Sequence, residues 1–342
     1  MLSAKKHKYY TASMDAEAEK LLDDTLRQMA QDLAGSDFCV VLGGSYARGE
    51  GGVRKEREKG LLFNDLDFFV FTEKSPMPDE KILRELSEKY HALLHVDVDF
   101  SRPADCRSLK KNARRLMMQE LKRNYVPVYG KDLLAEHLPE LPAELLPFEE
   151  ACRLLLNRGM GLRLASEKLA QKSADGDFIL RNICKAVLGA GDALLIDRGL
   201  YRWQIDRRVE EVGKLDIPQT WKNLYTQAVE YKKTPHGLLD ENTLELWKNA
   251  ARFLQAALLK SAETQDPRQL TRALYLKCRR KRETSLLNLI KYCLKTRSAV
   301  FSLKYSSPAV VLLLEDLFKE LSSGPQVLDR NGKLFRQWQI FN

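Results

Sequence analysis

No stretch of this 342-residue chain carries the run of about eighteen apolar residues that a membrane span requires. Cysteine is sparse and scattered. The six stand at positions 39, 106, 152, 184, 278 and 293, and none belongs to a Cys-x-x-Cys pair. Reduced thiols are the ordinary expectation for such a pattern. The five histidines, at 7, 91, 95, 137 and 236, do not combine with the cysteines at zinc-ligand spacings. His91 and His95 are four apart, as in a metal-binding helix, but His95 reads as part of a strand, so a surface or packing role is expected. No repeat of fixed period is present. The opening MLSAKKHKYYTASMDAEAEK is basic without an apolar signal segment, from which a cytoplasmic protein is expected.

Charge is not scarce. A formal net charge of +9 points to an anionic partner, and nucleotide, nucleic acid and acidic surface all fit it. Its strongest local source is Arg272 through Arg297, where nine basic residues face the single acid Glu283. Leu286, Leu287, Ile290 and Leu294 run through the same region at helical spacing, which reads as an amphipathic helix with a basic solvated face. An RNA-contacting face is the alternative, although Tyr275 and Tyr292 are the only aromatics in the run that could stack unpaired bases.

The informative segment lies nearer the start. Phe38-Cys39-Val40-Val41-Leu42 is short, apolar and β-branched, and it runs into Gly43-Gly44-Ser45-Tyr46-Ala47-Arg48. This reads as a buried strand entering a tight turn. Paired glycines let a backbone approach a polyphosphate and allow φ above zero. Ser45 offers a hydroxyl and an amide, and Arg48 a fixed cationic fork. An ordinary strand-ending turn explains Gly-Gly-Ser equally well on its own.

Two acidic strands follow. In NDLDFFV, Asp65, Asp67 and Phe69 share one face and Leu66, Phe68 and Val70 the other, because side chains alternate along a strand. In HVDVDF, Val96, Val98 and Phe100 oppose His95, Asp97 and Asp99. Clustered carboxylates repel one another unless a cation or a basic partner sits among them. An oxygen-rich group of this kind suits Mg²⁺. Between the turn and the first acids, residues 51–60 read as a hydrophilic, solvated loop.

Turn, acidic pair and later acid, in that order, resemble the nucleotidyltransferase superfamily that includes DNA polymerase beta, CCA-adding enzymes and aminoglycoside nucleotidyltransferases. The resemblance covers about residues 25–135, with an insertion between Glu50 and Phe63. It implies that Asp65 and Asp67 hold one metal on an NTP, ATP by default, and that a third acid shares a second metal which activates the acceptor hydroxyl. Mg²⁺ is the implied ion, with Mn²⁺ as a substitute. Asp97 is the first choice for the third acid and Asp99 the second; both stand on one face, so periodicity does not choose. The implied reaction moves a nucleoside monophosphate to a small hydroxylated acceptor and releases pyrophosphate. An RNA 3′ end, or an inactive nucleotide-binding protein of the same fold, are the alternatives.

The chain as a whole reads as α+β. A small mixed-sheet nucleotidyltransferase domain over about 1–135 is followed, past the proline-bearing stretch 137–147, by a helical substrate-binding domain over 148–342. Helices are expected near 15–34, 79–93, 105–123, 219–231, 241–260, 267–293 and 308–321, and Val126–Gly130 reads as a short extended segment. Within the helical part, Lys185 and Asp192 share a face if one helix continues through Gly189 and Gly191. This stretch looks like the helical domain of bacterial antibiotic-type enzymes, with Lys185 toward a phosphate and Asp192 toward the acceptor.

Overall fold

A computed structural model describes residues 9–55, 60–73, 79–172, 175–235, 242–281, 283, 310–330 and 332–341. Most of the basic run, including Arg282 and the apolar positions 286–294, lies outside them, as do Pro76 and Pro78. The chain separates into two compact units, Met1–Pro142 with Glu230–His236, and Ala143–Val229 with Gly237–Asn342. The small return of 230–236 to the first unit has no signature in the sequence.

The first unit is a small mixed sheet between helices. α1 (Ala16–Asp32) opens it, with Asp15 as N-cap accepting from Ala18 N. Four strands form the order β3-β2-β1-β5, where β1 is Cys39–Leu42, β2 Leu66–Thr72, β3 Val98–Phe100 and β5 Val126–Tyr129. A two-residue strand β4, Ala104–Asp105, also pairs with β2. β1 runs antiparallel to β2 and β5, while β3 and β4 run parallel to β2. Pro127, which cannot donate to a ladder, sits in the edge strand β5.

Alternation along the strands divides the core in two. Val40, Leu42, Leu66, Phe68, Val70 and Val98 pack with α1 and with α3 (Lys81–Leu94). The opposite face, with Cys39, Val41 and Phe71, packs with α4 (Arg107–Asn112), α5 (Leu116–Arg123) and α6 (Leu133–His137). The helix expected over 105–123 is therefore two. Its break is stabilised by Gln119, fully buried, whose amide donates to Ala113 O at 2.8 Å and Pro139 O at 2.9 Å. A carbonyl released from helical bonding thus keeps a partner. His95 is not in a strand: it ends α3 in a left-handed conformation, φ 56°.

The insertion after Glu50 is not simply a solvated loop. Its ends turn inward, with Gly51, Gly52, Val53, Leu62 and Phe63 all buried. The short helix α2 (Gly44–Ala47) supplies the anchor. Tyr46, 1% exposed, donates its hydroxyl to Gly52 O at 2.9 Å and accepts from Phe63 N at 3.0 Å and Asn64 N at 3.2 Å. Asn64 Oδ1 in turn accepts from Gly52 N at 2.7 Å. A β-carbon on Gly51 would lie 2.0 Å from the Tyr46 ring, so glycine is needed there for the ring to pass.

The second unit is almost entirely helical. α7 (Phe148–Ala170) and α8 (Gly176–Asp197) pair along their length, α8 running unbroken through Gly189 and Gly191. Both glycines are close-packing positions, against Arg158 and the Tyr225 ring. α9 (Ile205–Gly213), α10 (Gln219–Lys233), α11 (Thr243–Ala262), α12 (Leu270–Arg280), α13 (Val311–Ser322) and α14 (Lys333–Phe341) follow. Glu283, the lone acid of the basic run, accepts from both Phe148 N and Glu149 N at 2.9 Å and so caps α7. No described helix is long and apolar enough to cross a membrane.

Candidate functional site

The register of the sheet brings the two acidic segments together. Across the parallel β2–β3 pair, Leu66 stands opposite Val98, Asp67 opposite Asp99 and Phe68 opposite Phe100. Asp67 and Asp99 are thus side by side on neighbouring strands, which lie about 4.8 Å apart. The Phe68 and Phe100 rings stack behind them, centroids 4.8 Å apart. Asp65 and Asp97 each precede their strand, and Leu66 N donates to Asp97 O at 2.9 Å. Asp97 points into solvent, its side chain 64% exposed and 3.6 Å from His91 Nδ1. Asp99 is exposed as well, and of the two candidates for the third acid it is Asp99 that is the register partner of Asp67.

Partial desolvation holds the carboxyl of Asp99, an exposed residue, above the usual carboxylate range, and the negative charges of Asp97 and Asp65 push it the same way. The donor set is all oxygen and acidic, which fits a hard divalent cation. The four aspartates nevertheless do not bring three ligand atoms as close together as a second group described below does.

The glycine turn is bound to this pair. Gly43 N donates to Asp67 O at 2.8 Å. A methyl group on Gly44, whose φ is +67°, would come within 2.3 Å of Asp67 Oδ2. A β-carbon on Gly43 would meet the Phe69 ring at 2.6 Å and Leu121 at 2.9 Å. The two glycines therefore seat Asp67 and Phe69 as well as freeing the backbone. Ser45 opens the α2 turn, and its carbonyl accepts from Arg48 N and Glu50 N. Arg48 is tied to acids of its own unit, with Nε 3.2 Å from Glu50 Oε2 and Nη1 3.6 Å from Glu120 Oε2. Lys232 also reaches Glu50, completing a chain of alternating charge behind the turn.

Lys185 and Asp192 lie on the continuous α8 of the second unit. Asp192 accepts from Tyr225 OH at 2.6 Å and lies 3.5 Å from Arg208 Nε, an arrangement internal to that unit. Three of the described basic residues near position 280 are similarly engaged. Lys277 donates to Asp197 at 2.7 Å and Ser261 O at 2.8 Å, Arg280 pairs with Glu263 at 2.7 Å, and Lys281 lies 3.4 Å from Asp197.

A different group escaped the sequence reading. Glu73, Cys106 and His137 place one ligand atom each within 4.8 Å of one another, positioned to coordinate a metal ion. Among the described residues no other set of three does so. The positions are distant in sequence and match no zinc spacing, so only the pairing of β4 with β2 and the packing of α6 beside α4 reveal them.

No family model matches the chain, and a search of curated proteins finds no relative.

Proposed function

We propose that the first unit is a metal-dependent nucleotidyltransferase that moves a nucleoside monophosphate from an NTP, ATP first, to the hydroxyl of a small acceptor. The observation carrying this reading is Asp67 beside Asp99 across β2–β3, with the Asp67 carboxylate against the Gly43–Ser45 turn. Asp65 and Asp67 would hold a Mg²⁺ ion on the triphosphate, and Asp67 with Asp99 a second on the acceptor side. Bound there, the metal supplies charge neutralisation and an acceptor hydroxyl of lowered pKa.

The chain's own groups do the positioning. The acceptor oxygen attacks the α-phosphorus, the bond to the β-phosphate oxygen breaks, and pyrophosphate leaves with the hydroxyl proton passing to solvent. Ser45 offers its hydroxyl to the phosphates at the start of α2. Arg48, held by Glu50 and Glu120, fixes the far side of the turn. Positioning and preorganised charge are the main sources of rate in transfers of this type. A small acceptor is favoured over an RNA end because Lys277, Arg280 and Lys281 are already paired within their own unit.

The test is transfer of label from α-phosphate-labelled ATP, with Mg²⁺ or Mn²⁺, to a panel of aminoglycoside-like compounds and RNA 3′ ends. Metal-dependent labelling of a small compound, lost in Asp67→Asn, is expected. Failure of every Mg·NTP to bind folded protein by titration calorimetry would sink the reading.

A further inference from the structure

The Glu73, Cys106 and His137 group is distinct from the aspartate site. Residues 67 and 73 share one face of β2 or its continuation, six residues apart, a separation of about 20 Å. Phe69 and Phe71 fill the face between them.

Three separate elements converge to build it. β4 pairs with β2 so that Phe71 faces Ala104 and Thr72 faces Asp105, and Cys106 N donates to Thr72 O at 3.0 Å. One step further in that register, Glu73 and Cys106 become neighbours. α6 packs beside α4 through Leu109, Leu133, Leu134 and Leu138, which carries His137 to the same end. Cys106 is buried at 2% exposure while Glu73 is exposed, so the group has a dry soft ligand and a wet hard one.

The spacing around His137 is the telling detail. Its Nε2 is buried and makes no hydrogen bond among the described residues. It lies 3.7 Å from Glu73 Oε1 and 3.8 Å from Glu136 Oε2, too far for either bond. Ligands around a tetrahedral zinc, with bonds of about 2.0–2.3 Å, stand about 3.3–3.8 Å from one another. An ordinary ion pair explains Glu73 less fully. Lys131 lies 3.6 Å from Glu73 but 2.8 Å from Glu136, its nearer partner. A thiolate and a carboxylate together carry two negative charges, which a divalent ion balances.

We propose that Glu73, Cys106 and His137 form a second metal centre, selective for a borderline divalent ion with Zn²⁺ first, that fastens the end of β2 to α4 and α6. Thiolate and imidazole select such an ion over Mg²⁺. Three protein ligands leave a fourth position for water. The centre is independent of nucleotidyl transfer.

Co²⁺ titration of the chelator-treated full-length protein tests it, with thiolate-to-cobalt charge-transfer absorption as the readout. Stoichiometric appearance of the band is expected, with displacement by Zn²⁺ and none by excess Mg²⁺. Cys106→Ser should abolish the band, while Asp67→Asn should leave it unchanged. Glu73→Gln, at an exposed position that does not disturb the core, should weaken Co²⁺ binding by at least about tenfold. Absence of the band in folded wild-type protein overturns the proposal, and so does a band that persists in Cys106→Ser. Should Cys106→Ser fail to fold, unchanged affinity in Glu73→Gln overturns it equally.

Discussion

Asp67 and Asp99 are register partners across the parallel pair β2–β3, so two carboxylates from segments thirty-two positions apart stand side by side. Neighbouring carboxylates of this kind raise one another's cost of ionisation. Partial desolvation of Asp99, an exposed residue, and the charges of Asp97 and Asp65 add to that cost. A site that keeps such a pair gains from a cation and little from packing.

The first consequence concerns activity. Asp67→Asn and Asp99→Asn are each expected to lower label transfer by at least about a hundredfold, the scale for losing one preorganised electrostatic group. Asp97→Asn, at a position that precedes β3 and is not the register partner of Asp67, is expected to be milder than Asp99→Asn. Turnover of the three variants at saturating Mg·ATP, with circular dichroism to verify folding, makes the comparison. Equal losses in the Asp97 and Asp99 variants would contradict the ranking.

A pH dependence follows from the direction of the Asp99 shift. Its folded-state pKa is raised, so the native state holds the proton more tightly than the unfolded chain. That contribution to stability is fully present below the unfolded value and is lost as pH rises through the folded value. In metal-free protein the stability gap between wild type and Asp99→Asn should therefore change across this window, with wild type losing ground as pH rises. Urea midpoints measured from acid to neutral pH read it. Mg²⁺ should reverse the loss, since it binds the ionised form.

Gly44→Ala should destabilise through two causes at once. The backbone is left-handed at φ +67°, and the added methyl would strike Asp67 Oδ2 at 2.3 Å. A cost of about 1–3 kcal/mol is expected in denaturant unfolding. Gly199→Ala, also left-handed but with open space for the methyl, separates the causes. It should cost less.

Tyr46→Phe removes the hydroxyl that closes the insertion. Gly52 O and Phe63 N would keep the bond they make to each other at 3.2 Å, while Asn64 N would lose its hydroxyl partner. Thermal unfolding should report a loss of about 1 kcal/mol, the scale of a lost hydrogen bond whose other partners remain paired. Amide exchange should rise first at Asn64. Unchanged protection there would mean that the insertion is held by other contacts.

Much of this architecture was legible from local chemistry. The apolar β-branched run of β1, the alternation in β2 and the stripe of α1 are short-range patterns, and each produced its element within a residue or two. The acids of the candidate site were equally visible, because carboxylates on a hydrophobic strand are conspicuous. Less visible was the break between α4 and α5, which depends on Gln119 reaching carbonyls at Ala113 and Pro139. The inward turn of the insertion was hidden too, since a hydrophilic average over 51–60 masks two apolar ends.

By itself the sequence determined which residues alternate, and hence that Asp67 and Asp99 would each leave the apolar face of their strand. Only the tertiary structure decided which acids meet. Side-chain period is a property of one strand, whereas register is a relation between two, set by how Leu66 and Val98, and Phe68 and Phe100, pack against the same core. The same reason separates the two metal questions. An aspartate pair announces itself within a strand, but Glu73, Cys106 and His137 have no common period, and only the β2–β4 pairing and the packing of α4 on α6 make them neighbours.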